Sequence, residues 1–287
     1  MERLKSQFIG SLVGTALGDS LGEGAGRYTD DTAMAIGVAE SLIAARGFDA
    51  DHMARTFARH YAAEPWRGYG FGPPLIFKMM RDGTPWRDAA QRLYPGGSFG
   101  NGSAMRVAPV GLLFCDDLAK VAEVARQSSR ITHTHPMGAD GAALQACAVA
   151  LAVQAQPGTL DHDAFLNSLS ECVQEDLYQE KLLAMGQLLR RQAPMDAAVA
   201  ELGNTIEAFN SVPIAIYSFL AGGSFEEAVG NALAAGGDRD TIGAMAGAVA
   251  GAYYGVERIP ETWKHELENR ATIEGLGEQL WQLKQSL

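Results

Sequence analysis

The chain has 287 residues, of which 47% are hydrophobic and 20% are charged. This composition can bury a large core and excludes a disordered chain. The net charge of -11 comes with no run of lysine or arginine, which argues against general nucleic-acid binding. Glycine is in excess, because its 33 residues make up about 11% of the chain against a usual ~7%.

Apolar residues recur at helical spacing along most of the chain, and strand signals are nearly absent. The N-terminal apolar stretch from Phe8 to Leu21 contains Ser11 and Asp19 and lacks a cleavage site, so we do not interpret it as a signal peptide. No linker or repeat divides the chain. We therefore predict an all-α fold, a compact orthogonal multi-helix bundle, in a single domain over 1–287. The predicted helices lie near 32–45, 53–61, 118–129, 138–154, 165–173, 175–191, 195–202, 214–220, 225–235, 241–254 and 276–283.

The three cysteines, Cys115, Cys147 and Cys172, have unrelated spacings and lie in apolar helical segments. This pattern favours reduced thiols in the core over disulfides or a zinc site. The most apolar run, Thr241 to Val256, is shorter than a bilayer span and predicts a buried helix. We expect a cytoplasmic protein that does not bind membranes.

Two predicted helices begin with several oxygen-bearing side chains. Asp30 and Asp31 precede one helix, and Asp238 and Asp240 follow the pair Gly236-Gly237 before another. A single acid in such a place is usually a helix cap, and this alternative stays open for each segment alone. A cap needs only one acceptor, however, and four carboxylates brought together repel unless cations lie between them. Oxygen ligands without His or Cys favour Mg²⁺ or Mn²⁺.

The glycine-rich segment 95–103 has the composition of an anion-binding loop. Its backbone amides and Ser98 are suited to cradle a diphosphate, and the Phe99 ring to stack on a base. An ordinary surface loop is the equally weighted alternative. Further along, His133 is placed to donate to a phosphate or ribose oxygen, whereas an ordinary polar turn is the simpler interpretation of His135. No G-x-S-x-G nucleophile motif is present.

The acidic and glycine-rich segments resemble those of the ADP-ribosylglycohydrolases, which are all-helical enzymes with two magnesium or manganese ions. Within that family the chain is most similar to the animal branch that cleaves ADP-ribose from serine and degrades poly(ADP-ribose). The shared segments are GTALGD at 14–19, YTDDTAM at 28–34, RGYG at 67–70, GSFGNGSAMR at 97–106, ELGN at 201–204 and GGDRDT at 236–241.

The resemblance implies a role for individual residues of this chain. It implies a central cleft with two Mg²⁺ or Mn²⁺ ions, and a substrate site for the ADP-ribose moiety of modified proteins. The implied metal ligands are Thr29, Asp30, Asp31, Asp238, Asp240 and Thr241, and the implied substrate-binding residues are Gly97, Ser98, Phe99, Gly100, Asn101 and His133.

Two features depart from the family pattern. The family usually has some tens of residues between the Gly-Asp and Thr-Asp-Asp-Thr motifs, including a glutamate on a mobile flap, whereas only 20–28 intervene here. Glu23 is the sole acid in that interval and is the candidate replacement; the alternative is that the flap is lost. Arg239 stands where a small or hydroxyl residue is commoner, and we expect it to pair with an acid outside the metal ligands.

We therefore predict a monomeric, metal-dependent hydrolase that releases ADP-ribose by cleavage at the anomeric ribose carbon, with Asp30 or Glu23 as the proton carrier. Serine-linked ADP-ribose is the preferred substrate, and poly(ADP-ribose) and O-acetyl-ADP-ribose are further candidates. The alternatives are an ADP-ribosylarginine hydrolase, a protein that binds ADP-ribose without hydrolysis, and a structural relic of the fold.

Overall fold

A computed structural model describes residues 2–24, 26–156 and 158–287 and contains sixteen α-helices in that part of the chain. A lone antiparallel bridge pairs Gly100 with Glu207. The prediction of an all-α multi-helix bundle is thus confirmed. The helices are α1 Glu2–Glu23, α2 Asp30–Ala45, α3 Ala50–Ala63, α4 Gly72–Arg81, α5 Trp86–Leu93, α6 Ala108–Leu113, α7 Leu118–Ser129, α8 Pro136–Gln154, α9 His162–Ser170, α10 Asp176–Arg190, α11 Met195–Leu202, α12 Ala208–Leu220, α13 Phe225–Ala234, α14 Arg239–Tyr254, α15 Glu261–Glu266 and α16 Arg270–Gln285.

The excess of glycine has a structural explanation in the pair α1 and α14, which pack backbone against backbone. A Cβ atom at Gly14 would lie 2.1 Å from the carbonyl oxygen of Gly247, and one at Gly18 would lie 1.9 Å from that of Gly243. Both distances are far shorter than a van der Waals contact, so only glycine fits. The contacts follow the four-residue spacing of one helix face and run antiparallel. They continue from Gly10 against Gly251 to Gly22 against Asp240.

The remaining helices surround this pair. α14 also packs on α8, α12 and α13, and α1 packs on α16. Buried side chains from α1 to α16 form one hydrophobic cluster, while the single-domain assignment over 1–287 stays a prediction.

Among the described residues, α8 is the helix that is long and apolar enough to cross a membrane, but 89% of its apolar window is buried inside the protein. This burial is that of a core helix. All three cysteines are free and buried, as expected.

One helix differs from its prediction in an informative way. The predicted helix starts at Ile214, directly after Pro213, and a proline inside a helix is normally unfavourable because it removes a backbone donor and clashes with the preceding turn. The structure instead starts α12 at Ala208 and keeps Pro213 inside the helix. Every residue from Ser211 to Leu220 is buried, so tertiary packing holds the turn on both sides of the missing hydrogen bond.

Candidate active site

The start of α2 and the start of α14 face the same cavity of about 300 Å³. Asp30 and Asp31 line it from α2, and Asp238, Asp240 and Thr241 line it from α14. The glycine contacts between α1 and α14 bring these segments together, because α1 ends beside Asp240 and its buried Asp19 binds the start of α2. Two acidic segments some two hundred residues apart in sequence therefore form one site.

Asp19 holds the start of α2 in place. Its carboxylate accepts hydrogen bonds from the backbone N–H groups of Thr29 and Thr32 and from the Thr32 hydroxyl at 2.5 Å. The carboxylate therefore fills the role of a helix cap from another helix. Burial raises the pKa of Asp19 to about 6, against the lowering effect of these hydrogen bonds. Nothing in the GTALGD motif or in the apolar stretch around Asp19 indicated this role.

Thr29 is the local N-cap of α2. Its hydroxyl accepts from the backbone N–H of Asp31 at 3.3 Å and donates to Asp31 Oδ2 at 3.1 Å. The other oxygen of this carboxylate, Oδ1, is buried and has no hydrogen-bond partner. A buried carboxylate oxygen without a partner is costly, and a bound cation is one way to satisfy it. Helix capping therefore explains the presence of Thr29 at the start of α2. It does not explain why the Asp31 carboxylate is buried there with one oxygen unpartnered.

Burial and mutual repulsion disfavour the charged form of these acids. Burial, together with repulsion from the carboxylates of Asp19 and Asp240, raises the pKa of Asp30 to about 7. Burial, followed by repulsion from Asp19 and Asp30, raises the pKa of Asp31 well above its usual range. Burial also raises the pKa of Asp238. A divalent cation would reverse this balance, because it stabilises the deprotonated carboxylates around it.

The donor set fits hard divalent cations. Within the described ranges, no three His, Cys, Asp or Glu side chains are already gathered tightly enough to enclose one ion. The carboxylates of α2 and α14 nonetheless line one cavity, supply only oxygen donors and include the unpartnered Asp31 Oδ1. Such donors suit Mg²⁺ or Mn²⁺ rather than zinc. Of the predicted metal ligands, Asp30, Asp31, Asp238, Asp240 and Thr241 line this cavity, whereas Thr29 caps α2 and is not part of the lining. Their role as ligands stays a prediction.

The glycine-rich loop is anchored across the cavity from α2. The backbone N–H of Asn101 donates to the Ile206 carbonyl at 2.9 Å, and that of Ala208 donates to the Phe99 carbonyl at 3.0 Å. The Asn101 side-chain amide donates to Asp238 Oδ2 at 2.5 Å and to the Ser211 hydroxyl at 3.1 Å. Asn101 lines the cavity, and its amide also holds Asp238, the residue directly before α14. The predicted contact of Asn101 with substrate stays a prediction.

Other residues of the glycine-rich loop differ in their relation to the cavity. Ser98 and Gly100 line it. Gly97 has a positive φ of 89°, and a Cβ atom there would lie 2.2 Å from the backbone nitrogen of His135. Phe99 is 44% exposed, and its ring lies 5.5 Å from that of His135 and 5.9 Å from that of Phe209. Gly97 thus fixes the path of the loop, while Phe99 offers a partly exposed aromatic face.

His133 lines the cavity in a defined orientation. Its Nδ1 lies 2.8 Å from the Thr132 hydroxyl, which accepts a hydrogen bond of 2.8 Å from Arg106. Burial lowers the pKa of His133 to about 3, and the Arg106 charge contributes. The imidazole is therefore neutral. When the Thr132 hydroxyl donates to Nδ1, the proton lies on Nε2. This tautomer is the one that the predicted donor role of His133 requires, and that role stays a prediction.

Arg106 and Tyr69 are cavity residues that the sequence analysis did not single out. The Arg106 guanidinium is fully buried, lies 4.5 Å from the centre of the Phe57 ring and leaves Nε without a partner. Burial lowers its pKa to about 9. The Tyr69 hydroxyl is also buried without a partner. These groups add a cation and a donor to a cavity otherwise lined by acids, and the motif Met105-Arg106 was the available signal.

Glu23 and Arg239 lie apart from the cavity lining. Glu23 is the last residue of α1 and is exposed, so its catalytic role stays a prediction that this arrangement does not favour. Arg239 is the first residue of α14 and is exposed. In the part of the chain that the structure describes, no carboxylate lies within ion-pair distance of Arg239, so the expected pairing with an acid is absent.

Comparisons with known proteins all point to the same enzyme family. The family model described as ADP-ribosylglycohydrolase matches residues 1–287. The chain is 38% identical over 284 residues to the ADP-ribosylhydrolase ARH3 of Homo sapiens, covering 88% of this chain and 78% of that protein. It is 26% identical over 249 residues to the ADP-ribosyl-dinitrogen-reductase glycohydrolase of Rhodospirillum rubrum, with 87% and 76% covered. A solved structure titled ADP-ribosylglycohydrolase-related protein complex superimposes with a TM-score of 0.77 at 25% identity, covering 99% of this chain and 100% of that one.

Proposed function

Since this chain belongs to the ADP-ribosylglycohydrolase family, we propose that it removes ADP-ribose from modified serine side chains with the help of two Mg²⁺ or Mn²⁺ ions. It is a hydrolase of the glycosidic bond of ADP-ribose, and the family is generally metal-dependent. The serine preference rests on the motifs shared with the serine and polymer branch. The higher identity to the ARH3 proteins, 38% against 26% for the dinitrogen reductase enzyme, supports it.

The single observation that carries the metal proposal is the buried, unpartnered Oδ1 of Asp31 beside three further carboxylates. Metal ions held there would polarise the ribose hydroxyls and activate a water. The ligands would be Thr29, Asp30, Asp31, Asp238, Asp240 and Thr241.

The chain's own residues supply the rest of the chemistry. Cleavage at the anomeric carbon develops positive charge on the ribose, which the carboxylates around the cavity stabilise. Asp30 is the proposed proton carrier, because it lines the cavity and Glu23 does not. His133 donates from Nε2 to a phosphate or ribose oxygen, while Ser98 and Gly100 lie beside it for the diphosphate. All these residues come from one chain, so we propose a monomer.

The assignment of the metal ligands is tested with Asp238→Ala. This variant should keep its helical content and lose both hydrolysis and the rise in Tm that Mg²⁺ or Mn²⁺ produces in the wild type. The matched control is Asp196→Ala, which removes an exposed acid from the first turn of α11. Normal turnover by Asp238→Ala would show that the ligand assignment is wrong.

Linkage specificity is tested with a panel of serine-linked, arginine-linked, polymeric and O-acetyl substrates, each assayed for released ADP-ribose with and without Mg²⁺. We expect release from the serine-linked peptide, and only with the metal. Release from the arginine adduct alone would replace the serine proposal with the arginine one. Binding of free ADP-ribose without any turnover would instead indicate a binding protein.

A further inference from the structure

A second cavity of about 700 Å³ lies between α3 and α4, directly behind the active-site cavity. The rings of Tyr61 and Tyr69 form the wall between the two. Tyr61 lines the second cavity, Tyr69 lines the first, and their centroids are 5.1 Å apart in an edge-to-face arrangement. We refer to the second cavity as the α3–α4 groove.

The α3–α4 groove is cationic in a protein of net charge -11. Arg55 and Arg59 of α3 and Lys78 and Arg81 of α4 line it, and no acid does. Two of these cations have carboxylate partners, since Arg59 lies 3.2 Å from Glu40 and Lys78 lies 2.9 Å from Asp82. Within the described residues, Arg55 and Arg81 form no ion pair. The groove therefore presents at least two arginines that are free to bind an anion.

Exposed aromatic rings connect the groove to the active site. The connection from α3 to α4 carries Trp66, which is 70% exposed, and Phe71, which is 76% exposed. Trp66 follows Pro65, which lines the groove, while Phe71 lies between Gly70 and Gly72, which line the active-site cavity. Exposed aromatic rings beside a binding cavity can extend the surface that contacts a ligand. Rings of this kind stack on nucleobases with little sequence preference.

We propose that the α3–α4 groove binds the next ADP-ribose unit of a poly(ADP-ribose) chain whose terminal unit occupies the active-site cavity. This proposal rests on the proposed function. Arg55 and Arg81 would form bidentate hydrogen bonds with the diphosphate, for which a guanidinium is well suited. Trp66 and Phe71 would stack on the adenine. Anionic charge and an aromatic base alternate in this polymer, as the cations and rings do here.

The test is binding of a fluorescently labelled ADP-ribose oligomer, measured by anisotropy with EDTA present so that metal-dependent turnover is stopped. The double variant R55E/R81E should weaken binding by about tenfold or more, because it replaces two phosphate contacts with repulsion. The variant Trp66→Ala, at an exposed site, should weaken it without changing net charge. Hydrolysis of a peptide with one ADP-ribosylserine should not change in either variant, since it has no second unit.

The matched control is R190E/R258E, which changes the net charge by the same amount on exposed arginines of α10 and of the turn 256–258. Equal loss in both double variants, or no loss in R55E/R81E, would overturn the proposal. Displacement of the oligomer by an acidic peptide as readily as by unlabelled oligomer would also overturn it in favour of a protein partner. If the wild type hydrolyses no substrate, the proposed function fails. The oligomer-binding experiment still tests whether the α3–α4 groove binds a second ADP-ribose unit.

Discussion

The side-chain amide of Asn101 lies 2.5 Å from Asp238 Oδ2, so the glycine-rich loop is bonded to the acidic start of α14. This contact couples the proposed diphosphate loop to the proposed metal ligands. A residue that orients a metal ligand typically changes metal affinity when it is mutated. If both proposals hold, the Asn101–Asp238 hydrogen bond links the residues that bind substrate to those that bind metal.

Replacement of Asn101 with alanine should lower the affinity for Mg²⁺ by about 10- to 100-fold, because Asp238 loses the donor that orients it. Titration of activity and of Tm with Mg²⁺ measures the change. Asn231→Ala is the control, since the Asn231 amide donates to the backbone carbonyl of Ser218 away from the cavity. An unchanged Mg²⁺ titration for Asn101→Ala would mean that Asp238 does not depend on this contact.

Replacement of Gly18 with alanine should destabilise the protein by about 3 kcal/mol or more, because the added methyl group meets backbone that has no room to move. The Cβ atom would lie 1.9 Å from the carbonyl oxygen of Gly243. Gly230→Ala is the matched control within α13, since nothing lies within 4 Å of its Cβ position. That substitution should stabilise the helix by up to ~1 kcal/mol. Urea denaturation measures both, and equal effects would contradict the packing described for α1 and α14.

Neutral His133 should make stability depend on pH. The pKa of His133 is lowered to about 3 in the folded protein, whereas an exposed histidine in the unfolded chain titrates near 6.5. The unfolded state therefore binds the proton first as the pH falls. This contribution to stability is complete above pH 6.5 and should decrease by about 1.4 kcal/mol per pH unit from there towards pH 3.

The measurement is the free energy of unfolding between pH 7.5 and 5 for the wild type and His133→Gln. The variant cannot take up the proton, so its stability should fall less steeply over this interval. His162→Gln controls for a histidine at the start of α9. Parallel pH curves for the wild type and His133→Gln would show that the His133 imidazole is not held neutral.

Much of the fold follows from the sequence because helical periodicity is a local signal. The ends of α7 and α11 match their predictions, and α14 begins only two residues before its predicted start. The short helices α4, α5 and α15 were missed, since a helix of six to ten residues carries little periodicity. The long helix α1 was missed for another reason, because it is buried on nearly every side between Ser6 and Ser20 and shows no polar face. The first six residues of α12, from Ala208 to Pro213, were missed, because burial by other elements outweighs the local preference against a proline inside a helix.

The acidic site was predictable from residue type, but its internal contacts were not. The convergence of Asp31 and Asp238 follows from the repulsion argument and the shared motifs. Nothing local indicates that Asp19 would cap α2 or that Asn101 would hold Asp238, because both contacts join segments distant in sequence. Glu23 was chosen as the sole acid in its interval, and the structure places it on the surface.

The backbone contact of α1 and α14 also bears on how substrate choice can diverge. Because the contact between α1 and α14 has no room for an added atom, the two helices cannot slide or rotate against each other. The acidic starts of α2 and α14 therefore keep a constant spacing while the residues around them change. The connections at 64–72, 94–102 and 203–207 carry the exposed Trp66, Phe71, Phe99 and Ile206 and lie outside the contact between α1 and α14. Exchange of these three connections between relatives should therefore transfer leaving-group preference and leave the requirement for metal intact.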